Sequence, residues 1–113
     1  MQRVIRAMVA LTLLGLAPAL HAAEYLHASY LLRVHPLADG TLILMFVTDS
    51  TNCPSSASPK EFRVALGQNG MTADGLRAIQ ATALTALATG ARLEVAFDNG
   101  SANCYVNRAL IRE

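Results

Sequence analysis

The chain has 113 residues, enough for one domain, and 53% of them are hydrophobic while 15% are charged. Nine lysines and arginines stand against eight acidic residues, and no basic cluster is present that could neutralise a row of phosphates. Nucleic acid and anionic membrane surfaces are therefore not expected as partners.

The N-terminal segment has the pattern of a secretory signal peptide. Arg3 and Arg6 precede an uncharged stretch, 7–20, which is followed by small residues, so we expect cleavage after Ala22 or Ala23. The apolar stretch is shorter than the roughly 20 residues that a membrane-spanning helix needs. A retained membrane anchor is therefore the weaker interpretation.

Cleavage would divide the chain into a signal peptide, 1–23, and a single exported domain, 24–113, that is periplasmic or secreted and not inserted in a membrane. Both cysteines, Cys53 and Cys104, lie in that domain, and disulfides persist in exported proteins. A bond between them would close a loop of about 50 residues and stabilise the fold by on the order of 4 kcal/mol. Two free thiols or an intermolecular bond are the alternatives.

Alternating apolar and polar residues predict a first strand over 25–35, which Pro36 ends. Asp39 and Gly40 then form a turn signal, so the first two strands should pair as a hairpin.

The second strand, predicted over 41–48, is apolar on both faces. Its outer residues Ile43, Met45 and Val47 would form an adhesive patch if exposed, so we expect this strand to be central and covered on both sides. A polar loop follows over 49–60.

A third strand is predicted over 61–66 and a helix over 74–89, with Thr72 or Asp74 as N-cap and Gly90 at the C-terminal cap. The larger apolar residues of the helix form one stripe: Leu76, Ile79, Ala83, Leu84 and Leu87. Its opposite face is small and uncharged: Ala78, Ala81, Thr82, Thr85, Ala88 and Thr89. That face fits either packing against a partner or an alanine-rich helix that is stable by propensity alone.

Two strands, over 92–97 and 104–111, complete the chain around a turn at 98–101. Five strands with one helix between the third and the fourth, in the order β-β-β-α-β-β, form the element order of the OB-fold, a small partly open barrel. A small α+β sheet with one covering helix is the alternative.

The segment 83–95 (ALTALATGARLEV), followed by Cys104 and Tyr105, resembles the helix, cap, strand and cysteine pattern of the B subunits of subtilase-cytotoxin and pertussis-like AB5 toxins and related small exported proteins. The resemblance implies an OB-fold subunit that recognises glycans and has no enzymatic activity. It also implies a homo-oligomer, a ring-shaped pentamer with its helices towards a central pore. The chain departs from the toxin subunits in having no tryptophan and only one possible disulfide.

The sequence lacks the strong signatures of enzymes: H-E-x-x-H, G-x-S-x-G and a glycine-rich phosphate loop are absent. His27 and His35 would share a face of a continuous strand, but no third ligand accompanies them, so we expect no metal site. Asp49 and Asp98 follow strands two and four, where aspartates usually form turns. We therefore predict a protein that is not an enzyme and needs no cofactor.

A binding site is easier to place, because the predicted disulfide would join the loop after strand two to the turn before strand five. Short hydrogen-bonding groups would gather there beside one aromatic ring, as sugars require. The candidate ligand-binding residues are Asp49, Ser50, Asn52, Asn103, Tyr105 and Asn107. The alternative is that they are ordinary polar loop residues.

The sequence thus predicts an exported, non-enzymatic binding module whose partner is a glycan or glycoprotein. The competing hypothesis is a periplasmic structural or inhibitor-like domain that grips another protein through an exposed strand edge.

Overall fold

The computed structural model describes residues 24–113, and the predicted signal peptide lies outside them. Over this part the chain forms five strands and one α-helix in the predicted order. The elements are β1 Glu24–Pro36, β2 Leu42–Phe46, β3 Glu61–Val64, α1 Ala73–Thr89, β4 Arg92–Asp98 and β5 Val106–Arg112.

The strands form one antiparallel sheet in the order β3-β2-β1-β4-β5. The long β1 strand organises it, because its first half pairs with β4 and its second half pairs with β2. The two edge strands approach each other at one point, where the backbone N–H of Arg63 donates to the carbonyl of Asn103 at 3.2 Å, beside an isolated parallel bridge between Arg63 and Tyr105. The sheet is therefore strongly curved but not closed, as in a partly open barrel.

A bulge between Leu31 and Arg33 separates the two halves of β1. Because the bulge adds one residue, it reverses the alternation of side chains between the two halves of β1. The expectation that His27 and His35 share a face is therefore wrong. His27 is half-buried and packs against the core, stacked on Phe62 with ring centroids 5.5 Å apart. His35 is exposed on the far half of the strand and pairs in register with Ile43.

The turn between β1 and β2 follows the D-G signal. Gly40 has φ 90°, a conformation that side-chain-bearing residues rarely adopt, and Leu37 N–H donates to Thr41 O at 2.7 Å. The Asp39 carboxylate accepts a hydrogen bond from the Thr41 backbone N–H at 2.9 Å, and this bond holds the pKa of Asp39 below its usual value.

The core contains three phenylalanines, with Phe62 packed edge to face against Phe46 at 5.3 Å and against Phe97 at 4.9 Å. As predicted, β2 is buried on both faces, including the outward-facing Ile43 and Met45.

Two predicted strands extend too far. Strand β2 ends at Phe46, and Val47, which we expected to be covered, is 60% exposed. Strand β3 ends at Val64, because Ala65 starts a turn in which its carbonyl accepts from Gln68 N–H at 3.1 Å, and Leu66 is exposed. At the end of β3, turn hydrogen bonding stops a strand that the apolar pattern alone would continue, whereas after β2 the Val47 backbone N–H still donates to Tyr30 O at 2.9 Å while its side chain is exposed.

Helix α1 begins and ends as its caps predict. Thr72 Oγ1 accepts from Gly75 N–H at 3.1 Å, and Gly90, with φ 69°, donates its N–H to Ala86 O.

The buried face of α1 differs from the predicted stripe. Its buried residues are Leu76, Ile79, Ala83 and Ala86. Leu84 and Leu87 are instead 47% and 40% exposed, because each lies one residue, about 100° of rotation, beyond a fully buried alanine. Alanine at the buried positions allows the helix backbone to lie close to the sheet, so side-chain size does not identify the buried face.

Candidate functional site

The site predicted from the sequence is built around a disulfide. Cys53 and Cys104 are bonded within the chain, with their Cα atoms 5.7 Å apart, and both are completely buried. The bond joins the loop between β2 and β3 to the residue just before β5, so the alternatives of free thiols and an intermolecular bond are set aside. Two polar segments that are distant in sequence thus lie at one edge of the barrel.

The loop on the Cys53 side is pinned by its own hydrogen bonds. Asp49 Oδ1 accepts from the backbone N–H of Lys60 at 2.9 Å, and the Lys60 ammonium donates to the carbonyl of Cys53. Ser50 is buried, and its hydroxyl oxygen accepts from the backbone N–H of Asn52 at 3.2 Å. Ser50 therefore supports the loop from within, while the side chains of Asp49 and Asn52 are exposed.

The segment on the Cys104 side holds two predicted residues against each other. Asn103 Nδ2 donates to the hydroxyl oxygen of Tyr105 at 3.1 Å, and both residues are half-buried. Between them, Cys104 has φ 48°, in the left-handed region that a non-glycine residue adopts only when its surroundings impose it. The disulfide and the two flanking side chains therefore form one small rigid unit.

The backbone of Tyr105 is fixed from two further directions. Its carbonyl accepts from the backbone N–H of Asp98 at 3.0 Å and from Asn69 Nδ2 at 2.8 Å. Asn69 was not among the predicted site residues, although its position before Gly70, in a turn where it has φ 52°, is the signal that could have found it. Asn69 positions Tyr105 rather than facing the exposed edge.

The structure does not join Asn107 to the other candidates by any hydrogen bond among residues 24–113. Asn107 lies on β5, where the register with β4 shifts, and its Oδ1 is buried without a hydrogen-bond partner in the described part of the chain. It follows Tyr105 by two residues but remains outside the unit formed around Cys104.

Charges at this edge are mixed, and each of its two cations makes one hydrogen bond. Arg63 bonds Glu61 at 3.0 Å, and Lys60 is held by a backbone carbonyl. Asp98 Oδ1 accepts from the Gly100 backbone N–H at 2.7 Å, which is the turn role expected from the sequence. In residues 24–113 no group of three or more His, Cys, Asp or Glu side chains is placed to hold a metal ion.

A small, open depression lies elsewhere, on the outer face of β1, β4 and β5. It is lined by Leu26, Glu94, Ala96, Arg108, Ala109 and Leu110. Ion pairs flank it, between Arg108 and Glu24 and between Arg112 and Glu94, each at 2.8 Å. This depression is separate from the candidate site.

Comparison with solved structures shows what these elements resemble as a whole. The chain aligns with human heat-labile enterotoxin, solved in complex with a blood group A antigen analogue, at a TM-score of 0.59 and 9% identity over 80% of this chain and 86% of that one. It also aligns with the B subunit of human heat-labile enterotoxin from E. coli, carrying a peptide with anti-HSV activity. The TM-score is 0.60 and the identity 10%, over 89% of this chain and 92% of that one. The chain has the fold of an enterotoxin B subunit.

This likeness of fold confirms the resemblance to toxin B subunits that the helix, cap and strand pattern indicated. No protein-family model and no curated protein matches the sequence. Along residues 24–113 no helix is long and apolar enough to cross a membrane.

Proposed function

We propose that this protein is an exported, non-enzymatic binding module that recognises a glycan or glycoprotein at the barrel edge held by the disulfide. The observation that carries the proposal is the Asn103–Tyr105 pair, which presents an aromatic ring and amide groups on a rigid, crosslinked segment of an enterotoxin B-subunit fold. Aromatic faces and amides are the groups with which proteins bind sugars. A heat-labile enterotoxin of the same fold was solved with a blood group A antigen analogue bound.

Export is supported by the basic and apolar pattern of residues 1–23 and by the disulfide, which persists in a periplasmic or extracellular compartment. Assembly into a homo-oligomer, by resemblance a pentamer, is supported by the exposed side of α1. That side combines Leu84 and Leu87 with small uncharged residues, whereas a solvated helix usually carries lysine and glutamate.

The test is a glycan array probed with the disulfide-bonded domain and with Asn52→Ala, Asn103→Ala and Tyr105→Ala. We expect the wild type to bind a saccharide and Tyr105→Ala to abolish binding, because the ring face is lost. Circular dichroism and thermal melting must show that each variant is folded, since truncating a half-buried tyrosine also costs stability, by a few kcal/mol. Full binding by all three variants would place the site elsewhere.

A second function is favoured by a separate observation. Exposed apolar side chains, Leu110 and Ile111, lie on the edge strand β5, and Leu110 lines the depression on the outer face together with the exposed Leu26 of β1. Such an edge suits the structural or inhibitor-like role, in which a strand of another protein adds to the sheet. An array without any glycan ligand would favour this function.

A further inference from the structure

From the outer face of β1, β4 and β5, we infer that two copies of this chain stack these faces on each other with their strands antiparallel. The contact is separate from the glycan site and from the contact proposed through α1. It rests on an exposed apolar stripe and on charges of opposite sign at the two ends of the same face.

The apolar stripe lies along β1. Alternate residues of a strand point to the same side of a sheet, and the outward positions of β1 include Leu26, Ala28 and Tyr30. All three are exposed, the leucine and the tyrosine by more than half, and Leu110 of β5, which lies in the same row as Ala28, is also exposed. The outer side of an antiparallel sheet is usually polar, so an exposed stripe of this kind is typical of a contact surface.

The charges of this face differ between its two ends. At one end, Glu24 pairs in register with Asp98, so the first row across the sheet is acidic. At the other end, Tyr30 pairs with Arg92, which pairs with Arg112, so the last row is basic. The two rows are six residues apart along β1, a distance of about 20 Å.

Ion pairs within the chain do not remove this difference. The two rows at the acidic end hold two acidic residues and one arginine at their outward positions, and the two rows at the basic end hold two arginines and one acidic residue. Each of the two ion pairs on this face lies within one of these ends, so Asp98 and Arg92 remain without an ionic partner among residues 24–113. Arg92 donates to the main-chain carbonyl of Glu113 at 3.0 Å, and Asp98 Oδ1 accepts from the Gly100 N–H, so each keeps further hydrogen-bonding capacity.

A twofold rotation between two stacked faces shows which orientation fits. If the strands of the two copies run antiparallel, the acidic row of each copy lies over the basic row of the other, and Asp98 of one faces Arg92 of the second. If the strands run parallel, acidic rows meet acidic rows and basic rows meet basic rows. In the antiparallel arrangement Leu26 also faces Ala28 of the second copy, a large side chain against a small one, which suits close packing.

The size of the face sets the strength of the contact. Four rows of three strands cover about 20 Å by about 10 Å, less than the roughly 800 Å² per partner that is typical of stable interfaces. We therefore expect a weak dimer that forms at high micromolar concentration.

The experiment measures association of the disulfide-bonded, exported protein by sedimentation velocity up to millimolar concentration. Every protein in the series carries Thr85→Glu, so that contacts through α1 do not contribute. We expect Leu26→Ser to weaken association by about tenfold, because an apolar side chain is no longer buried between copies. Leu66→Ser, in the turn after β3, is the matched control, since Leu66 is exposed to the same degree and should not affect association.

A double-mutant cycle on Arg92→Gln and Asp98→Asn tests the orientation. The asparagine keeps the acceptor for Gly100 N–H and removes only the charge. Each single variant should weaken association by about fivefold, and the double variant should do no more than either, because the pair is already broken. The two residues lie at opposite ends of β4, so coupling between them in the association constant arises only between copies.

The outcomes decide the inference. A Thr85→Glu protein that stays monomeric at millimolar concentration would overturn it and favour the added strand of another protein on this face. Equal losses for Leu26→Ser and Leu66→Ser would overturn the role of the stripe. Stronger association of Asp98→Asn, or additive losses in the cycle, would overturn the antiparallel arrangement. Each of these results leaves glycan recognition standing.

Discussion

At the scale of single residues, Cys104 determines the most about the site. It is fully buried, bonded to Cys53, and left-handed at φ 48°, and the two predicted ligand-binding residues on either side of it bond each other. A non-glycine residue in this conformation carries a conformational cost that the surrounding structure must offset. The crosslink therefore stabilises the fold and positions Asn103 and Tyr105.

We expect the native domain to have a mass lower by two hydrogen atoms than the dithiol form. The double variant Cys53→Ala/Cys104→Ala should lose about 4 kcal/mol of unfolding free energy, because the denatured chain regains the entropy of an open loop. For a domain of this size, that loss corresponds to a melting temperature lower by about 15–30 °C. Mass spectrometry and calorimetry measure both quantities. Two thiols that alkylate in the folded, freshly isolated protein would contradict the prediction.

At the scale of elements, local signals set the ends of α1, whereas tertiary packing sets which of its faces is buried. Thr72 and Gly90 set its ends, and both cap contacts are present. The buried face of the helix was predicted only in part. Ala83 and Ala86 are fully buried, whereas Leu84 and Leu87, which we expected on that face, are exposed. Caps are local hydrogen-bonding events, whereas the buried face depends on the surface that the helix meets.

Replacing Thr72 by alanine removes the acceptor for Gly75 N–H and should destabilise the domain by about 1 kcal/mol. The expected fall in melting temperature is about 4–8 °C. Thr51→Ala is the matched control, since Thr51 is exposed in the loop between β2 and β3, and it should melt within a degree or two of the wild type. Equal melting temperatures for both variants would show that the cap contributes nothing measurable.

At the scale of the whole molecule, the sheet is open, with β3 and β5 as its edge strands, and one side of α1 is exposed. The exposed side of the helix carries two leucines and, from Ala78 to Thr89, no charged residue. A surface of this kind is typical of contacts between subunits. The homo-oligomer proposed from the toxin resemblance therefore has a definite surface to test.

If this side of α1 packs between copies, Thr85→Glu and Leu84→Glu should each shift the protein towards monomer, because the new carboxylate would lose water without gaining a partner. Thr82→Glu, closer to the sheet, should act in the same direction. Light scattering with size-exclusion chromatography measures the effect, with Gln68→Glu in an exposed turn as the control for added charge. A wild type that stays monomeric at high micromolar concentration would rule out the assembly.

Features that depend on local chemistry could be predicted from the amino-acid pattern. Alternation, turn residues and caps gave the element order, the D-G turn and the ends of α1, and two cysteines allowed a single intramolecular bond. The Cys53–Cys104 bond in turn placed the two halves of the candidate site at one edge before their contacts were known.

Features that depend on residues distant in sequence became visible in the folded domain. The bulge in β1 lies in its pairing with β2 and reverses the alternation of side chains, so His27 stacks on Phe62 while His35 is exposed. Tyr105 is held by Asn69 and Asp98, from elements that no sequence spacing relates to it. Sequence periodicity describes one element at a time, whereas side-chain orientation, strand ends and the hydrogen bonds that fix a site are set where elements meet.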